Sequence, residues 1–146
     1  MNLLNQQLRL WLKIQTSHSN LEYCFNINPV AASRPRVGKY GAYFTGPYKT
    51  FRQEAAKEVL DVLGPDFDPI DNNLEVIVEI AVKKPKTTKF NFPRGDIDNY
   101  LKSIFDCLNG RLWVDDRLIV GVYCKKLFAE DNGYFKIMVT KTEAGE

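Results

Sequence analysis

Leu74-Glu75-Val76-Ile77-Val78-Glu79-Ile80-Ala81-Val82 carries the strongest strand signal in the chain. Leu74, Val76, Val78, Ile80 and Val82 alternate along one face, the period-2 pattern of a half-buried strand. The opposite face mixes Glu75 and Glu79 with Ile77 and Ala81, which predicts partial burial there. Upstream, residues 21–27 read as a strand with Leu21, Tyr23, Phe25 and Ile27 on one side. Residues 33–46 contain Pro35, Gly38, Gly41 and Gly46 and predict a loop or loose hairpin. Pro47 suits the first turn of a helix, whose apolar stripe (Phe51, Ala55, Val59, Val62, Leu63) stops at Gly64-Pro65. Downstream, Leu101, Ile104, Phe105 and Leu108 place a helix over residues 99–109, with Gly110 as its stop. Residues 118–128 and 134–141 read as two further strands, and Asn132-Gly133 between them predicts that they pair as a hairpin. The order β-loop-α-β-loop-α-β-β predicts an α/β (α+β) domain: a small mixed β-sheet with two main helices.

Leu4, Leu8, Trp11 and Leu12 stand at helical spacing, so residues 2–15 predict a short amphipathic helix, followed by a polar linker over residues 15–20. Two units follow: an N-terminal helical extension, residues 1–20, and one folded domain, residues 21–146. The extension either packs on the domain or binds a partner.

The chain has 146 residues, with 45% apolar and 26% charged side chains, an ordinary globular composition. Its net charge of +2 conceals an uneven distribution. Arg34, Arg36, Lys39, Lys49 and Arg52 form one basic run without an acidic residue, and Lys83, Lys84, Lys86, Lys89 and Arg94 form a second. Between residues 96 and 116 the balance reverses, with five Asp against Lys102 and Arg111. The chain has one histidine, His18, so any metal site here is built from oxygen donors, which points to Mg²⁺ or Mn²⁺. Cys24, Cys107 and Cys124 form no close pair and read as buried reduced thiols of a cytoplasmic protein. No apolar run approaches the roughly 20 residues of a membrane span, and residues 1–20 lack the apolar core of a signal peptide.

The acidic run holds the chemistry. Asp96 and Asp98, two apart in an extended stretch, project to one side, and such like charges call for a cation. A helix of about 11 residues spans only about 16 Å, so a returning strand can bring Asp116 back to the Asp96–Asp98 end. Each piece also has a plain structural reading. Asp98 can cap the helix, Asp115-Asp116 can be a turn, Lys102 can sit on a solvated helix face, and Asp106 can pair with Lys102 at i, i+4.

Taken together, Asp96-Ile97-Asp98-Asn99-Tyr100-Leu101-Lys102, Phe105-Asp106-Cys107-Leu108-Asn109-Gly110 and Trp113-Val114-Asp115-Asp116 resemble the signature of the RusA-type Holliday-junction resolvases. That signature is D-x-D-N-x-x-K, a D-x-L-x-G-like helix end and W-x-D-D, in this order and at nearly this spacing. Ser33-Arg34-Pro35-Arg36 and the aromatic-rich loop after it also resemble the family's N-terminal half. The likeness covers residues 21–141 and implies a RusA-like, homodimeric endonuclease that resolves four-way DNA junctions with Mg²⁺. It implies that Asp96, Asp98 and Asp116 are the essential carboxylates and metal ligands, with Asp115 supporting, and that Lys102 is the essential lysine. Arg34, Arg36, Lys39, Lys83, Lys84, Lys86, Lys89 and Arg94 are candidate contacts to DNA phosphates. Tyr40, Tyr43, Phe44, Phe90 and Phe92 stand among them, either to stack on opened bases or to pack their own loops. Two other classes remain on the residues alone: a non-catalytic DNA-binding module, and a metal-dependent phosphohydrolase acting on small phosphates.

Overall fold

The computed structural model describes residues 20–142, together with Arg9. The helix expected over residues 2–15 lies outside them. Strands β1 (Leu21–Phe25), β4 (Leu74–Lys83), β5 (Ile119–Ala129) and β6 (Tyr134–Lys141) form one mixed sheet in the order β1-β6-β4-β5. Strands β2 (Arg36–Gly38) and β3 (Gly41–Tyr43) form a separate two-stranded ribbon. Helices α1 (Gly46–Leu63) and α2 (Ile97–Leu108) complete the expected architecture of two main helices and a small mixed sheet.

The most apolar strand lies inside the sheet. β4 pairs antiparallel with β6 and parallel with β5, and the parallel pair is connected through α2, as parallel strands require a crossover. Leu74, Val76, Val78 and Ile80 are fully buried on the helix-covered face, with Phe25, Phe135, Ile137 and Val139 beside them. α1 presses Tyr48, Phe51, Ala55 and Val59 into this core, and α2 adds Tyr100, Ile104, Cys107 and Leu108. The stripe expected on α1 reaches Leu63, which packs partly buried against the core, and fails only at Val62, which is 39% exposed.

Two expectations about the elements are corrected, and one about the cysteines. β5 and β6 do not form a hairpin, because β4 lies between them. The connection after Ala129 instead crosses the end of β4. A Cβ on Gly133 would lie 3.1 Å from the Ala81 carbonyl oxygen and 2.5 Å from Asn28 Oδ1, and Gly133 has φ +90°. Glycine at 133 therefore marks a close backbone approach, not a two-residue turn. The second correction concerns α2, which begins at Ile97, two residues before the expected start. Asp96, in extended conformation, is its N-cap residue, and its carbonyl accepts from the amides of Asn99 and Tyr100, both at 3.1 Å. Asp98 therefore belongs to the first turn, where a carboxylate suits the positive end of the helix. All three cysteines are free, but only Cys107 is buried; Cys24 and Cys124 are half-buried.

Candidate active site on helix α2

Asp98, Lys102 and Asp106 follow at i, i+4 and i+8, so α2 displays them along one side. Lys102 Nζ lies 3.3 Å from Asp106 Oδ2 in an exposed ion pair. Asp96 and Asp98 are both exposed, and the Asp96 carboxylate makes no capping bond to the helix. The two do not share one extended stretch as expected, because only Asp96 is extended and Asp98 lies in the first helical turn.

Asp116 reaches this helix from the other side of a buried turn. Leu112 and Trp113 are fully buried, and the Ile70 backbone pins them: its amide donates to the Leu112 carbonyl at 2.9 Å and its carbonyl accepts from the Val114 amide at 3.0 Å. The Trp113 ring meets Phe105 of α2 edge-on, with centroids 5.4 Å apart. From that fixed position the indole Nε1 donates to Asp116 Oδ1 at 2.6 Å, while the Asp116 amide donates to Asn109 Oδ1 at 2.9 Å. Asp115 accepts from the Arg117 amide at 2.9 Å, which closes the single 3-10 turn Asp116–Leu118. Asp115 thus shapes the turn that presents Asp116.

The electrostatics single out the same carboxylate. Burial raises the Asp116 carboxyl above its ordinary range; the indole hydrogen bond opposes this, Asp106 and Asp115 raise it further, and Lys102 lowers it. Of the charges that act on Asp116, Lys102 and Asp106 lie on the middle and end of α2 and Asp115 on the turn itself. The structure brings Lys102, Asp106 and Asp116 into one electrostatic neighbourhood and leaves Asp96 and Asp98 at the helix start. Asp106 makes the ion pair that its spacing suggests, and it also acts on Asp116, which the spacing does not reveal.

Among the described residues no group of three His, Cys, Asp or Glu side chains is drawn together tightly enough to hold a metal ion. The donors nevertheless fit a hard cation in kind. Asp96 and Asp98 offer carboxylates to solvent, and Asp116 is a carboxylate disfavoured as an anion by burial and by two acidic neighbours. Mg²⁺ is commonly held by one or two carboxylates together with waters and substrate phosphates, not by a complete protein cage.

The segment before Asp96 is held from the sheet. Lys126 of β5 stands in register with Ile80, on the core side of the sheet, and its Nζ donates to the Gly95 carbonyl at 2.7 Å. It also lies 5.6 Å from the centre of the Phe92 ring, and Arg94 lies 5.2 Å from that of Phe90. The phenylalanine ring centroids lie 5.5 Å apart within the loop, and the rings remain 43% and 48% exposed. Lys126 is not among the candidates that sequence reasoning finds, although a lysine in the alternation Val122, Cys124, Lys126, Phe128 is a readable signal. Lys83, Lys84, Lys86, Lys89 and Arg94 are exposed along this loop, and Arg34, Arg36 and Lys39 are exposed on and before the β2–β3 ribbon.

No helix among the described residues is long and apolar enough to cross a membrane. No curated protein matches the chain. The family described as endodeoxyribonuclease RusA matches residues 26–140, a span that contains all four motif residues, both helices and the ribbon. The match agrees with the motif on α2, with the Trp113–Asp116 turn and with a nuclease function in general terms, and the chain belongs to the RusA endodeoxyribonuclease family.

Proposed function

We propose that the protein is a Mg²⁺-dependent endodeoxyribonuclease that resolves Holliday junctions by paired nicks during DNA recombination and repair. The observation that carries this reading is the family match spanning Asp96, Asp98, Lys102 and Asp116, joined to the placement of these residues on α2 and the turn beside it. Asp96, Asp98 and Asp116 would hold the metal, with Mn²⁺ as an alternative ion. The bound cation supplies neutralisation of charge on the phosphate and activation of water near neutral pH. Lys102, paired with Asp106 and acting on Asp116, would supply a positive charge to the phosphate as negative charge builds on it. Trp113 and Asn109 orient Asp116 through the side-chain and backbone bonds described above. Lys126 fixes Gly95 and so the entry of Asp96 into the helix.

An exposed site supports a large substrate. Asp96, Asp98 and Lys102 lie on open surface, whereas an enzyme for small phosphates buries most of its ligand. Two flanking basic segments suit the phosphates of junction arms. Paired nicks require two such sites related by two-fold symmetry, hence a homodimer. β5 is an edge strand, and its Val120 and Val122 are 61% and 41% exposed, which supports this edge as the dimer contact. The test replaces Asp98 by Asn, which removes a metal-binding charge with little change of shape. Asp98→Asn is expected to bind a synthetic four-way junction in gel shifts while losing cleavage. Turnover near that of the wild type would overturn the metal-site assignment.

A further inference from the structure

The β2–β3 ribbon presents one large aromatic side chain to solvent at its tip. Tyr40 is 96% exposed and Val37 is 86% exposed, although the ribbon itself is well formed. Arg36 pairs with Tyr43, Val37 with Ala42, and Gly38 with Gly41. The Tyr43 ring lies diagonally over Gly38, where a Cβ would meet it at 2.8 Å, and an aromatic laid over a strand glycine stiffens a pair of short strands. Gly41, at φ +111°, takes up the left-handed step of the turn, so Lys39 and Tyr40 stand at the tip in unstrained backbone.

One root of the ribbon is fastened to the helix that carries the candidate active site, and the other to α1. On the entering side, the Ala32 amide donates to the Asn99 carbonyl in the first turn of α2, at 2.9 Å. On the leaving side, Phe44 packs edge-on against Tyr48, with centroids 5.0 Å apart, and Arg52 lies 4.7 Å from the centre of the Phe44 ring. Arg52 in turn lines a small cavity with Asp106, Cys107 and Arg111 at the far end of α2. The entering side of the ribbon is therefore tied to the Asp98 end of α2, and the leaving side is linked through Arg52 to the cavity beside Asp106. Strands of three residues carry its tip roughly 10 Å outward.

We propose that this ribbon is a DNA wedge, with Tyr40 stacking on a base at the junction crossover while Arg34, Arg36 and Lys39 hold the flanking phosphates. The inference rests on the junction-resolving function proposed above. Among the five loop aromatics, Tyr43 lies over Gly38, Phe44 packs at the root, and Phe90 and Phe92 contact each other while remaining 43% and 48% exposed; Tyr40, at 96%, is by far the most exposed and stands at the ribbon tip. A tyrosine offers a flat face to any base, so stacking tolerates sequence and favours sites where bases are already partly unstacked. Lys39 Nζ, 5.7 Å from the centre of the Tyr40 ring, places a cation where that ring would enter the duplex.

The test uses the full chain and four-way junctions that carry 2-aminopurine beside the crossover, with Ca²⁺ in place of Mg²⁺ to hold cleavage off. Wild-type protein is expected to change the probe fluorescence on binding, Tyr40→Phe to keep the change, and Tyr40→Ala to lose it. Tyr40→Ala should also bind the fully paired junction about tenfold more weakly and recover on a junction with two unpaired bases at the crossover. Its thermal unfolding should match the wild type, since Tyr40 buries almost nothing. If Tyr40→Ala binds and cuts as the wild type does, with the same fluorescence change, the wedge is refuted and the nuclease stands. If wild-type protein neither binds nor cuts branched DNA, the proposed function fails, and the wedge fails with it.

Discussion

Trp113→Phe isolates the contact that holds the most buried of the candidate catalytic carboxylates. The substitution keeps an aromatic ring in the core but removes the indole N–H that reaches Asp116 Oδ1 at 2.6 Å. A hydrogen bond to a charged group contributes roughly 1.5–3 kcal/mol, and Asp116 is only partly buried, so about 1.5 kcal/mol applies at neutral pH. Shrinking a fully buried ring adds roughly 1–2 kcal/mol through poorer packing. The sum, about 3 kcal/mol, is a large part of the 5–15 kcal/mol typical of a domain. It corresponds to a fall in Tm of roughly 10 °C. The pH dependence separates the two contributions. The Asp116 carboxyl is already raised by burial, so the folded protein keeps that proton to higher pH than the unfolded chain does. The associated stability is present at low pH and is lost as pH rises from the ordinary carboxylate range through the raised folded value. The indole bond favours the ionised form, so its removal raises the carboxyl further. Trp113→Phe should therefore be more destabilising at pH 7 than at pH 4, and the acid limb of its cleavage-rate profile should move to higher pH. Urea unfolding at the two pH values and single-turnover cleavage from pH 5 to 9 measure both effects. A stability loss equal at both pH values, with an unmoved acid limb, would show that the indole only fills space.

Lys102→Ala should lower turnover by about 100-fold or more while changing junction affinity far less, since the loss of one oriented charge-stabilising donor commonly costs that much. If affinity and turnover fall together, Lys102 is a phosphate anchor. Replacing Lys83, Lys84, Lys86 and Lys89 together by Gln should weaken junction binding and flatten the plot of log affinity against log salt. Every phosphate that one of these lysines neutralises contributes about 0.9 to the slope, so an unchanged slope would place them outside the interface.

The parts of the fold that depend on short-range periodicity were legible. β4 and β6 follow their alternation almost residue for residue, and the body of α2 follows its stripe from Leu101 to Leu108. What failed was set by interactions distant in sequence. Asn132-Gly133 has the composition of a tight turn, but β4 is the strand with most to bury and takes the place between β5 and β6, so Gly133 serves a crossing. Asp98 has the look of an N-cap, yet Asp96 holds that position and starts the helix two residues sooner. The motif residues of the candidate site could be named because they cluster along 21 positions, Asp96 to Asp116. Their neighbours could not. The action of Asp106 on Asp116 arises only when the Trp113–Asp116 turn folds beside α2, and the reach of Lys126 to Gly95 only when β5 lies beside the segment that precedes this helix. Trp113 was legible as part of a motif, but its hydrogen bond to Asp116 depends on the turn that Ile70 pins. The extreme exposure of Tyr40 among the loop aromatics likewise follows from its place at the ribbon tip.

The most direct measurement places wild-type protein on a supercoiled plasmid carrying an extruded cruciform, alongside a linear duplex of the same sequence, with and without Mg²⁺. A junction-resolving dimer with its metal on Asp96, Asp98 and Asp116 should linearise the cruciform plasmid by paired nicks at symmetry-related positions. It should leave the linear duplex intact and do neither without the metal. Equal cutting of the linear duplex, full activity in EDTA, or nicking that never becomes a paired cut would contradict it.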